Sequence, residues 1–403
     1  MAGEGRPIHD RHPDPGARQA EGGGSAGVRV TVVDRATFPR HKICSEYSSP
    51  EGVRHLAQLG VLESLERRGG HRIRGTSVAA PKGSRLTGLF ARAGHSPFRD
   101  TGLSISRSIL DATLVEGARR AGAEVLERTA VRGVLTEEGA VRGLAVMDAG
   151  GAVREIRARI TIGADGLHSL VAGSIGDRRP PALRRFGFAA HVREVAGLRD
   201  TAEMHVSAAG YVGLNPLGQG LANVALVVPA ERAVRARGGP GDFFFEELER
   251  FPGVAGRVAR SALVREVLVT GPFAAWSRRV TAPGALLVGD AADFFDPFTG
   301  EGICAALRGA ELAQPVIIAA LSAPGPVPGA ALRPYARARR GAFLGKWIVE
   351  RAIGYAMLAP TLFDRAVNRL ERRGLAHTLI GVTGDFVPAR AVLNPVFLSQ
   401  VVF

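Results

Sequence analysis

The stretch LLVGDAADFFDPFTGEGICAALRGAELA, residues 286–313, reads as an apolar strand, a glycine-rich loop and a long helix. We predict that the strand ends at Gly289-Asp290 and that the helix begins at Gly302. Asp290 can accept hydrogen bonds from sugar-like hydroxyl groups, and a helix N-terminus attracts negative charge. The junction therefore predicts a site for an anionic, polyhydroxylated ligand. The alternative is an ordinary strand–loop–helix connection with a tight turn.

The loop inside this stretch suits close contact between the backbone and a ligand. Pro297 and the glycines allow such an approach, and the amides from Gly300 to Gly302 lie at a helix N-terminus. Glu301 and Ile303 belong to the same turn and are included in the predicted site.

A second informative stretch, EGGGSAGVRVTVVDRATFPRHKIC, covers residues 21–44. Gly22, Gly24 and Gly27 match the G-x-G-x-x-G pattern of a dinucleotide-binding loop. That loop needs a strand before it and a helix after it, but Asp34 follows Gly27 by only seven residues. We therefore interpret the glycines as a flexible linker, residues 1–27 as a disordered leader, and VRVTVVD as a buried strand that ends on an acid.

The formal net charge of +14 raises the question of a nucleic-acid partner. The lysines are Lys42, Lys82 and Lys346, so 49 of the 52 basic residues are arginines, and they are spread along the chain. Aromatic residues make up only 6%, and no basic, aromatic-interleaved platform is visible. We predict no nucleic-acid partner. An anionic ligand or peripheral contact with a membrane remains compatible with the charge.

The cysteine content indicates a reducing compartment. Only Cys44 and Cys304 are present, without metal-ligand spacing, which favours a cytoplasmic protein without a disulfide framework or metal site. The N-terminus lacks the apolar segment of a signal peptide. The longest apolar run, PVIIAALSAPGPVPGAAL, is interrupted by prolines, so we predict no transmembrane segment.

The rest of the chain alternates between α/β and β-rich segments. Ser49 and Pro50 predict the start of a helix pair over residues 49–68, and a further helix is predicted over residues 106–121. Residues 124–157 predict a β-meander that runs into ARITIGADG, a buried strand closed by Asp165-Gly166. Residues 180–275 predict mainly short strands with one helix near residues 241–260, and residues 333–403 are predicted to be mostly helical.

Four motifs together resemble one flavoprotein family. VGDAA…DPFTGEGI, IGADGLHSLVA, VTVVDRATFPRHKIC and ISRSILD are similar to segments of the family that joins aromatic hydroxylases to geranylgeranyl reductase-like enzymes, over roughly residues 28–400. The resemblance implies an α/β fold: an FAD-binding Rossmann-like domain, interrupted by a mostly antiparallel β substrate domain, and a C-terminal helical region. The implied limits are 28–70, 106–180 and 280–330 for the FAD domain, 71–105 and 181–279 for the substrate domain, and 331–403 for the helical region.

The resemblance also implies roles for particular residues. Asp290 would contact the ribityl chain and pyrophosphate of FAD, and Gly300 and Gly302 would face the flavin. Asp165-Gly166 would lie near the pyrophosphate, Asp34 would take the adenosine ribose with Arg35 beside it, and Arg107 would touch the flavin or its phosphates. The implied cofactor-binding set is Asp34, Arg35, Arg107, Asp165, Gly166, Gly289, Asp290, Pro297, Gly300, Glu301, Gly302 and Ile303. The competing interpretations are a solvated strand end for Asp34, a surface arginine at a helix start for Arg107, and a simple strand-terminating turn for Asp165-Gly166.

The segment FPRHKICSEY resembles the part of the reductase-like branch that carries a cysteine near the flavin. Cys44 is therefore a candidate catalytic residue, with inert packing as the alternative. The segment YVGLNP, residues 211–216, resembles the sheet that covers the flavin in that branch, with plain sheet core as the alternative. We expect His191 and His205 to be structural and Cys304 to be a packing residue.

This chain departs from the family pattern before Asp34. The family's first strand, phosphate loop and following helix should occupy roughly 30 residues there. Either the start of the reading frame upstream of Val28 is misassigned, which we favour, or the loop has been lost. In both cases we expect an interior sheet strand to be missing, with a cost in stability and in FAD affinity.

These features lead to two functional hypotheses. The first is an FAD-dependent oxidoreductase acting on a small organic molecule, by monooxygenation or by hydride reduction of an alkene, with NAD(P)H as electron donor. The second is a non-catalytic, flavin-free remnant of the family. The residues do not determine the substrate or the oligomeric state.

Overall fold

The computed structural model describes residues 27–175, 178–179, 183–273 and 275–402. The predicted leader thus lies outside the described residues, apart from Gly27. The strands are β1 Thr31–Val33, β2 Tyr47–Ser48, β3 His71–Ile73, β4 Gly75–Ala79, β5 Arg85–Leu89, β6 Gly102–Ser104, β7 Glu124–Leu126, β8 Ala130–Glu137, β9 Ala140–Met147, β10 Val153–Arg157, β11 Thr161–Gly163, β12 Arg178–Arg179, β13 Arg185–Arg193, β14 Thr201–Ser207, β15 Gly210–Gly218, β16 Leu221–Pro229, β17 Leu263–Thr270, β18 Ala275–Ser277, β19 Thr281–Ala282, β20 Ala285–Leu287 and β21 Asp293–Phe294. The helices are α1 Pro50–Gln58, α2 Leu62–Arg67, α3 Arg107–Arg120, α4 Leu170–Ile175, α5 Ala230–Ala233, α6 Pro240–Leu248, α7 Gly302–Ser322, α8 Gly329–Ala356, α9 Pro360–Arg372, α10 Ala376–Thr383 and α11 Pro395–Val402.

The α/β part contains two short parallel strand pairs. β1 pairs in parallel with β7, and β11 pairs in parallel with β20, which also carries β19 on its other side. Within the described ranges, the two pairs share no ladder, so the parallel sheet is divided between β1 and β11. The antiparallel meander β10-β9-β8 lies between β7 and β11 in the chain.

The second part is built on a seven-stranded sheet with the order β17-β13-β16-β15-β14-β4-β5. β4 and β5 come from an earlier segment of the chain than β13–β17, so two separate segments complete one sheet. Phe243, Phe244 and Leu248 of α6 pack with buried residues of β13, β15 and β16 in one core. This sheet supplies one wall of the candidate site.

The C-terminal helices pack against the β4–β5 edge of the same sheet. Val367 and Leu370 of α9 share a core with Val78 and Leu86. Gly88 allows β5 and α10 to pack closely, because a Cβ atom at Gly88 would lie 2.2 Å from Cγ1 of Ile380 in α10. The C-terminal helices therefore belong to the same folded body as the sheet.

Most predicted helices are confirmed. Ser49 caps α1 by accepting from the amide of Gly52, with Pro50 in the first turn, and α7 begins at Gly302. Two strand predictions need correction. The first arm of the predicted meander divides, because β7 pairs with β1 while only β8 joins the antiparallel ladder. Strands β13–β17 are seven to nine residues long, where short strands were predicted, because they pair with one another in one continuous sheet.

The prolines interrupt the most apolar run as predicted, because α7 ends at Ser322, before Pro324, Pro326 and Pro328. Pro315, the first residue of that run, is instead accommodated inside the helix. By length and composition alone, α7 is the one helix in the described ranges that could cross a membrane. Only 17% of its most apolar 18-residue stretch is buried. Its first turn lies at the candidate site, where it packs on α1 and α8.

Candidate functional site

A cavity of about 430 Å³ lies between the seven-stranded sheet, the turn after β20 and helix α8. It is lined by ten of the thirteen site residues predicted from the sequence: Cys44, Arg107, Gly166, Gly289, Asp290, Pro297, Gly300, Glu301, Gly302 and Ile303. Residues that are far apart in the chain thus meet around one space. Asp34, Arg35 and Asp165 do not line it.

The turn after β20 presents Asp290 to the cavity. Gly289 has a φ of 56°, a left-handed conformation that glycine adopts without strain, and a short 3-10 helix follows over Gly289–Ala291. Burial raises the pKa of Asp290, and the nearby Lys42 and Arg107 partly offset this effect. The turn therefore holds a carboxyl group among cations at the cavity, and its contact with a polyol stays a prediction.

The loop before α7 forms a second turn that lines the cavity. Asp296 accepts from the amide of Phe298 and caps a 3-10 turn over Pro297–Thr299. Gly300 closes that turn with a φ of 72°, and a Cβ atom there would lie 3.1 Å from Tyr47. The first amides of α7 follow directly and have no partners within the helix. A ligand edge with partial negative charge fits against them.

Lys42 completes the cationic side of the cavity, and sequence reasoning did not assign it a role. Its Nζ lies 3.7 Å from the position that a Cβ atom would take at Gly166. Burial and the neighbouring Arg107 lower the pKa of Lys42, while Asp290 raises it. An anion placed here would relieve the repulsion between the two cations. No local pattern identifies Lys42, because its position depends on the fold of residues 34–47.

A chain of alternating charges connects β1 to the cavity. Arg107 donates two hydrogen bonds of 2.8 Å to Asp111, which also accepts from Arg40 at 2.9 Å. Arg40 reaches Asp34 at 3.7 Å. Burial opposes the charge on Arg107, but Cys44 and Asp111 more than offset it, so the pKa of Arg107 is raised. Arg107 therefore stays charged at the cavity wall beside Cys44.

The three predicted residues outside the lining have other surroundings. The carboxylate of Asp34 accepts from the amide of Ala36, and the side chain of Arg35 is exposed. Asp165 is exposed and accepts from the amide of Leu170 at 2.7 Å at the start of α4. Within the described ranges, Asp165 thus acts locally as a helix cap, while its neighbour Gly166 lines the cavity.

Two asparagines of the seven-stranded sheet, one in β15 and one in β16, fix the loop that carries Cys44. Asn223 donates to the carbonyl of Cys44 at 2.8 Å, and Asn215 donates to the carbonyls of Ser45 and Glu46 at 3.0 and 3.1 Å. Ser45 in turn donates to the carbonyl of Gly300 at 3.2 Å. The loop is therefore clamped between the sheet and the turn before α7, which holds Cys44 at the cavity.

Glu46 anchors the same loop. Its φ of 57° is unusual for a residue other than glycine. One carboxylate oxygen accepts from the amide of Arg107 at 2.8 Å, and the other shares a 2.6 Å hydrogen bond with Nε2 of His191. The geometry agrees with a structural role for His191. No sequence signal distinguished Glu46.

The remaining wall of the cavity is aromatic. The hydroxyl of Tyr211 donates to Asp296 at 2.7 Å, and Arg185 donates to the other oxygen of Asp296 at 2.6 Å, so the sheet is tied to the loop before α7. The aromatic residues that line the space, apart from Tyr47 and Tyr211, are Phe188, Phe273, Phe294, Phe295, Phe298, Phe343 and Trp347. Such a wall suits a flat ring system or an extended apolar substrate.

Comparison with known proteins agrees with this architecture. The sequence pattern of the FAD binding domain family matches residues 20–340, so the chain belongs to that family. The chain is 29% identical over 315 residues to the digeranylgeranylglycerophospholipid reductase of Methanothrix thermoacetophila, covering 76% of each protein. It is 31% identical over 278 residues to the reductase of the same name from Methanospirillum hungatei, covering 67% of this chain and 65% of that protein.

Solved structures share the fold at lower identity. A flavoprotein/dehydrogenase from Cytophaga hutchinsonii superposes with a TM-score of 0.77 at 17% identity, covering 94% of this chain and 92% of that one. The flavin-dependent halogenase CmlS superposes with a TM-score of 0.70 at 23% identity, covering 79% and 59%. PqsL of P. aeruginosa in complex with 2-aminobenzoylacetate superposes with a TM-score of 0.66 at 21% identity, covering 85% and 93%. The resemblance drawn from the sequence motifs is thus confirmed: the protein is an FAD-dependent oxidoreductase by family.

The residues around the cavity fit the flavin and ribityl parts of FAD. Asp290, Gly289 and Gly300 line the cavity, and the two glycines adopt left-handed backbone conformations there. Lys42 and Arg107 supply positive charge for phosphate. In the described residues before β1, only Gly27–Val30 precede the strand, so no strand–loop–helix phosphate site is seen there. No group of three or more His, Cys, Asp and Glu residues in the described ranges could hold a metal ion.

Proposed function

We propose that this protein is an FAD-dependent reductase that adds hydrogen across a carbon–carbon double bond of an isoprenoid lipid. One observation carries the proposal: a single cavity joins a polar corner, built by Asp290, Lys42 and Arg107, to a long aromatic wall. The polar corner suits a dinucleotide, and the aromatic wall suits both a flavin ring and an apolar substrate. The relatives named above as digeranylgeranylglycerophospholipid reductases favour reduction over oxygen insertion.

The residues of this chain would divide the work. Asp290 would accept from the ribityl hydroxyls, the amides at the start of α7 would face the polar edge of the flavin ring, and Lys42 with Arg107 would neutralise phosphate charge. When bound, FAD supplies a hydride to the substrate. The clamped Cys44 loop would keep one wall of the cavity rigid, so that the substrate is held in one orientation.

The surface of α8 indicates where the protein would contact a membrane that holds the lipid substrate. Leu344, Ile348 and Tyr355 lie on one face of α8 and are 43–49% exposed, and Leu358 and Leu362 continue the apolar surface at 57% and 56%. Exposed Arg333, Arg337 and Arg340 precede them on the same face of α8. We call these eight residues the α8 surface. Apolar residues beside arginines fit the surface of an anionic bilayer.

The electron donor and compartment complete the proposal. NAD(P)H would reduce the flavin, and it would reach the flavin transiently because the described ranges show no second nucleotide-binding domain. We place the protein in the cytoplasm, at the membrane surface.

Two measurements test the proposal with the full chain. First, FAD is titrated into purified protein while the visible flavin absorbance that stays with the protein is recorded. Second, the loaded protein is reduced with dithionite without oxygen and given digeranylgeranylglycerophospholipid, and the product is examined by mass spectrometry. We expect the gain of two hydrogen atoms for each reduced double bond. Oxygen uptake coupled to hydroxylated product, without anaerobic reduction, would instead establish monooxygenation.

The division of the parallel sheet supports a second candidate function, a flavin-free remnant of the family. β1 and β11 share no ladder within the described ranges, so the sheet that should carry the phosphate loop is incomplete there. A folded, colourless protein that gains no thermal stability from added FAD would establish this candidate.

A further inference from the structure

A second group of charged residues meets the cavity next to α8. The flavin contacts proposed above use none of its side chains, although one member, Glu301, belongs to the turn predicted to bind the cofactor. Lys346 and Glu350 lie one turn apart on α8, Glu301 precedes α7, and Asp385 follows α10. We call these four residues the Lys346 cluster. Lys346, Glu350 and Glu301 line the cavity itself.

The cluster contains buried polar atoms without partners. Lys346 is only 4% exposed, and its Nζ has no hydrogen-bond partner. Oε2 of Glu301 is also buried without a partner. Leaving an ammonium group unpaired in a buried position is costly. The cavity beside these atoms is therefore suited to a polar group that the protein itself does not supply.

The charge balance of the cluster favours bound protons over a bound anion. Three carboxyl groups surround one ammonium group, so an added anion would be repelled, whereas bound protons relieve the excess negative charge. Burial raises the pKa of Glu301 and of Glu350 to about 7 in each case, and it also raises the pKa of Asp385. Burial lowers the pKa of Lys346, but the three carboxyl groups more than offset this, so Lys346 stays charged. The cluster therefore holds exchangeable protons near neutral pH.

Glu350 is the carboxyl group of the cluster best placed to reach a substrate. It is half-buried and lines the cavity beside Phe343 and Trp347. Oγ1 of Thr299 donates to its Oε1 at 3.4 Å, and the carboxyl group forms no other hydrogen bond within the described part of the chain. The charged groups that act on Glu350 are Lys346 and Arg351 of α8, Asp293 of β21, and Asp385.

We propose that Glu350 is the proton donor to the substrate in this cavity, with Lys346 as a positioning residue. This inference rests on the proposed reductase function. The proton leaves the Glu350 carboxyl oxygen and bonds to one alkene carbon as the π bond breaks, while the other carbon takes a hydride from the reduced flavin. Glu350 becomes a carboxylate, which the ammonium group of Lys346 stabilises one helical turn away. Solvent protons then restore the acid.

The first test needs no activity. Infrared spectra of the protein are recorded while the pH is raised from about 5 to about 9, across the range set by a pKa of about 7. We expect carboxyl C=O bands that disappear with a midpoint near neutral pH, and we expect one of them to be absent from Glu350→Gln. Glu246→Gln, at an exposed residue of α6, is the matched control and should keep all bands. A Glu350 band that is already lost at the lowest pH would overturn the proposal.

The second test follows the anaerobic single turnover with digeranylgeranylglycerophospholipid. We expect Glu350→Gln to bind FAD as the wild type does but to reduce the substrate about 100-fold more slowly. The remaining rate should no longer fall as the pH rises through neutrality, and Glu350→Asp should recover part of the rate. Wild-type rates and pH dependence in Glu350→Gln would overturn the proposal. If the wild type binds FAD and shows the infrared band but does not reduce the lipid, the proposed function fails and the donor role with it.

Discussion

Lys42 is the residue that we propose for the phosphate contact in the FAD site. It lies beside Gly166, Asp290 and Arg107, where an anion would relieve the repulsion between two cations. In the proposed FAD site, Lys42 and Arg107 would be the side-chain cations that contact the phosphates.

We therefore expect Lys42→Met to weaken FAD binding by about 10- to 100-fold, because a hydrogen bond to a charged group contributes roughly 1.5–3 kcal/mol. The affinity should also become less sensitive to salt. Fluorescence titration of FAD at low and high salt measures both effects. Lys82→Met, at an exposed lysine, is the control. Equal affinities for Lys42→Met and Lys82→Met would rule out this role.

Glu301 gives the protein a specific pH dependence. Its pKa is about 7 in the folded protein against an ordinary value of 4.5, so the folded state binds more protons between these values. The free energy of unfolding contributed by Glu301 therefore falls as the pH rises through this window. Four histidines with lowered pKa values, His41, His55, His71 and His377, act in the opposite direction, so only a comparison of variants isolates Glu301.

Relative to the wild type, we expect Glu301→Gln to gain about 2 kcal/mol of stability on going from about pH 5 to about pH 8. Urea unfolding at the two pH values measures this difference. Glu246→Gln should show no such change, because that residue is exposed. A Glu301→Gln variant that follows the wild-type curve would show that this carboxyl group is already ionised at the lower pH.

Among the elements, the contact between β5 and α10 joins the C-terminal helices to the sheet. Gly88 permits it, since a Cβ atom would meet Ile380 at 2.2 Å. We expect Gly88→Ala to lower the free energy of unfolding by about 1–3 kcal/mol, as overpacking does. Gly133→Ala, in β8 with open space around the new Cβ atom, is the matched control. Urea denaturation compares the two variants.

The same contact offers a compensation test. If the clash with Ile380 causes the loss, then Ile380→Ala should be less harmful in the Gly88→Ala background than in the wild type. Additive losses would mean that Gly88 acts through the backbone instead.

For the whole molecule, the net charge of +14 and the α8 surface predict attraction to anionic membranes. We expect the protein to sediment with phosphatidylglycerol vesicles at low salt, to dissociate at high salt, and to ignore phosphatidylcholine vesicles. Replacing Ile348 and Leu358 by glutamate should reduce binding at least tenfold, because it removes apolar contact and adds repulsion. Val153→Glu, an exposed apolar residue on the meander, is the control. Equal loss in both variants would show that charge alone drives binding.

Local patterns alone were enough to identify the family, the strand–loop–helix turn at Asp290, the cap at Ser49 and the start of α7. Each of these depends on residues within a few positions of one another, so the physical signal is contained in a short segment. The lengths of strands β13–β17 were underestimated from the sequence, because strand length depends on pairing partners elsewhere in the chain.

Tertiary structure alone brought Lys42 to Asp290, clamped the Cys44 loop with Asn215 and Asn223, and assembled the Lys346 cluster. These contacts join residues up to 248 positions apart, as for Lys42 and Asp290, and none leaves a periodic or spacing signal. The pKa values of Glu301 and Glu350 also depend on burial, which arises only when α7, α8 and the turn after α10 pack together. A sequence motif thus identified the turn at Asp290 that lines the cavity. The acid–base groups became visible only in the tertiary structure, because distant elements must pack together before water is excluded from around them.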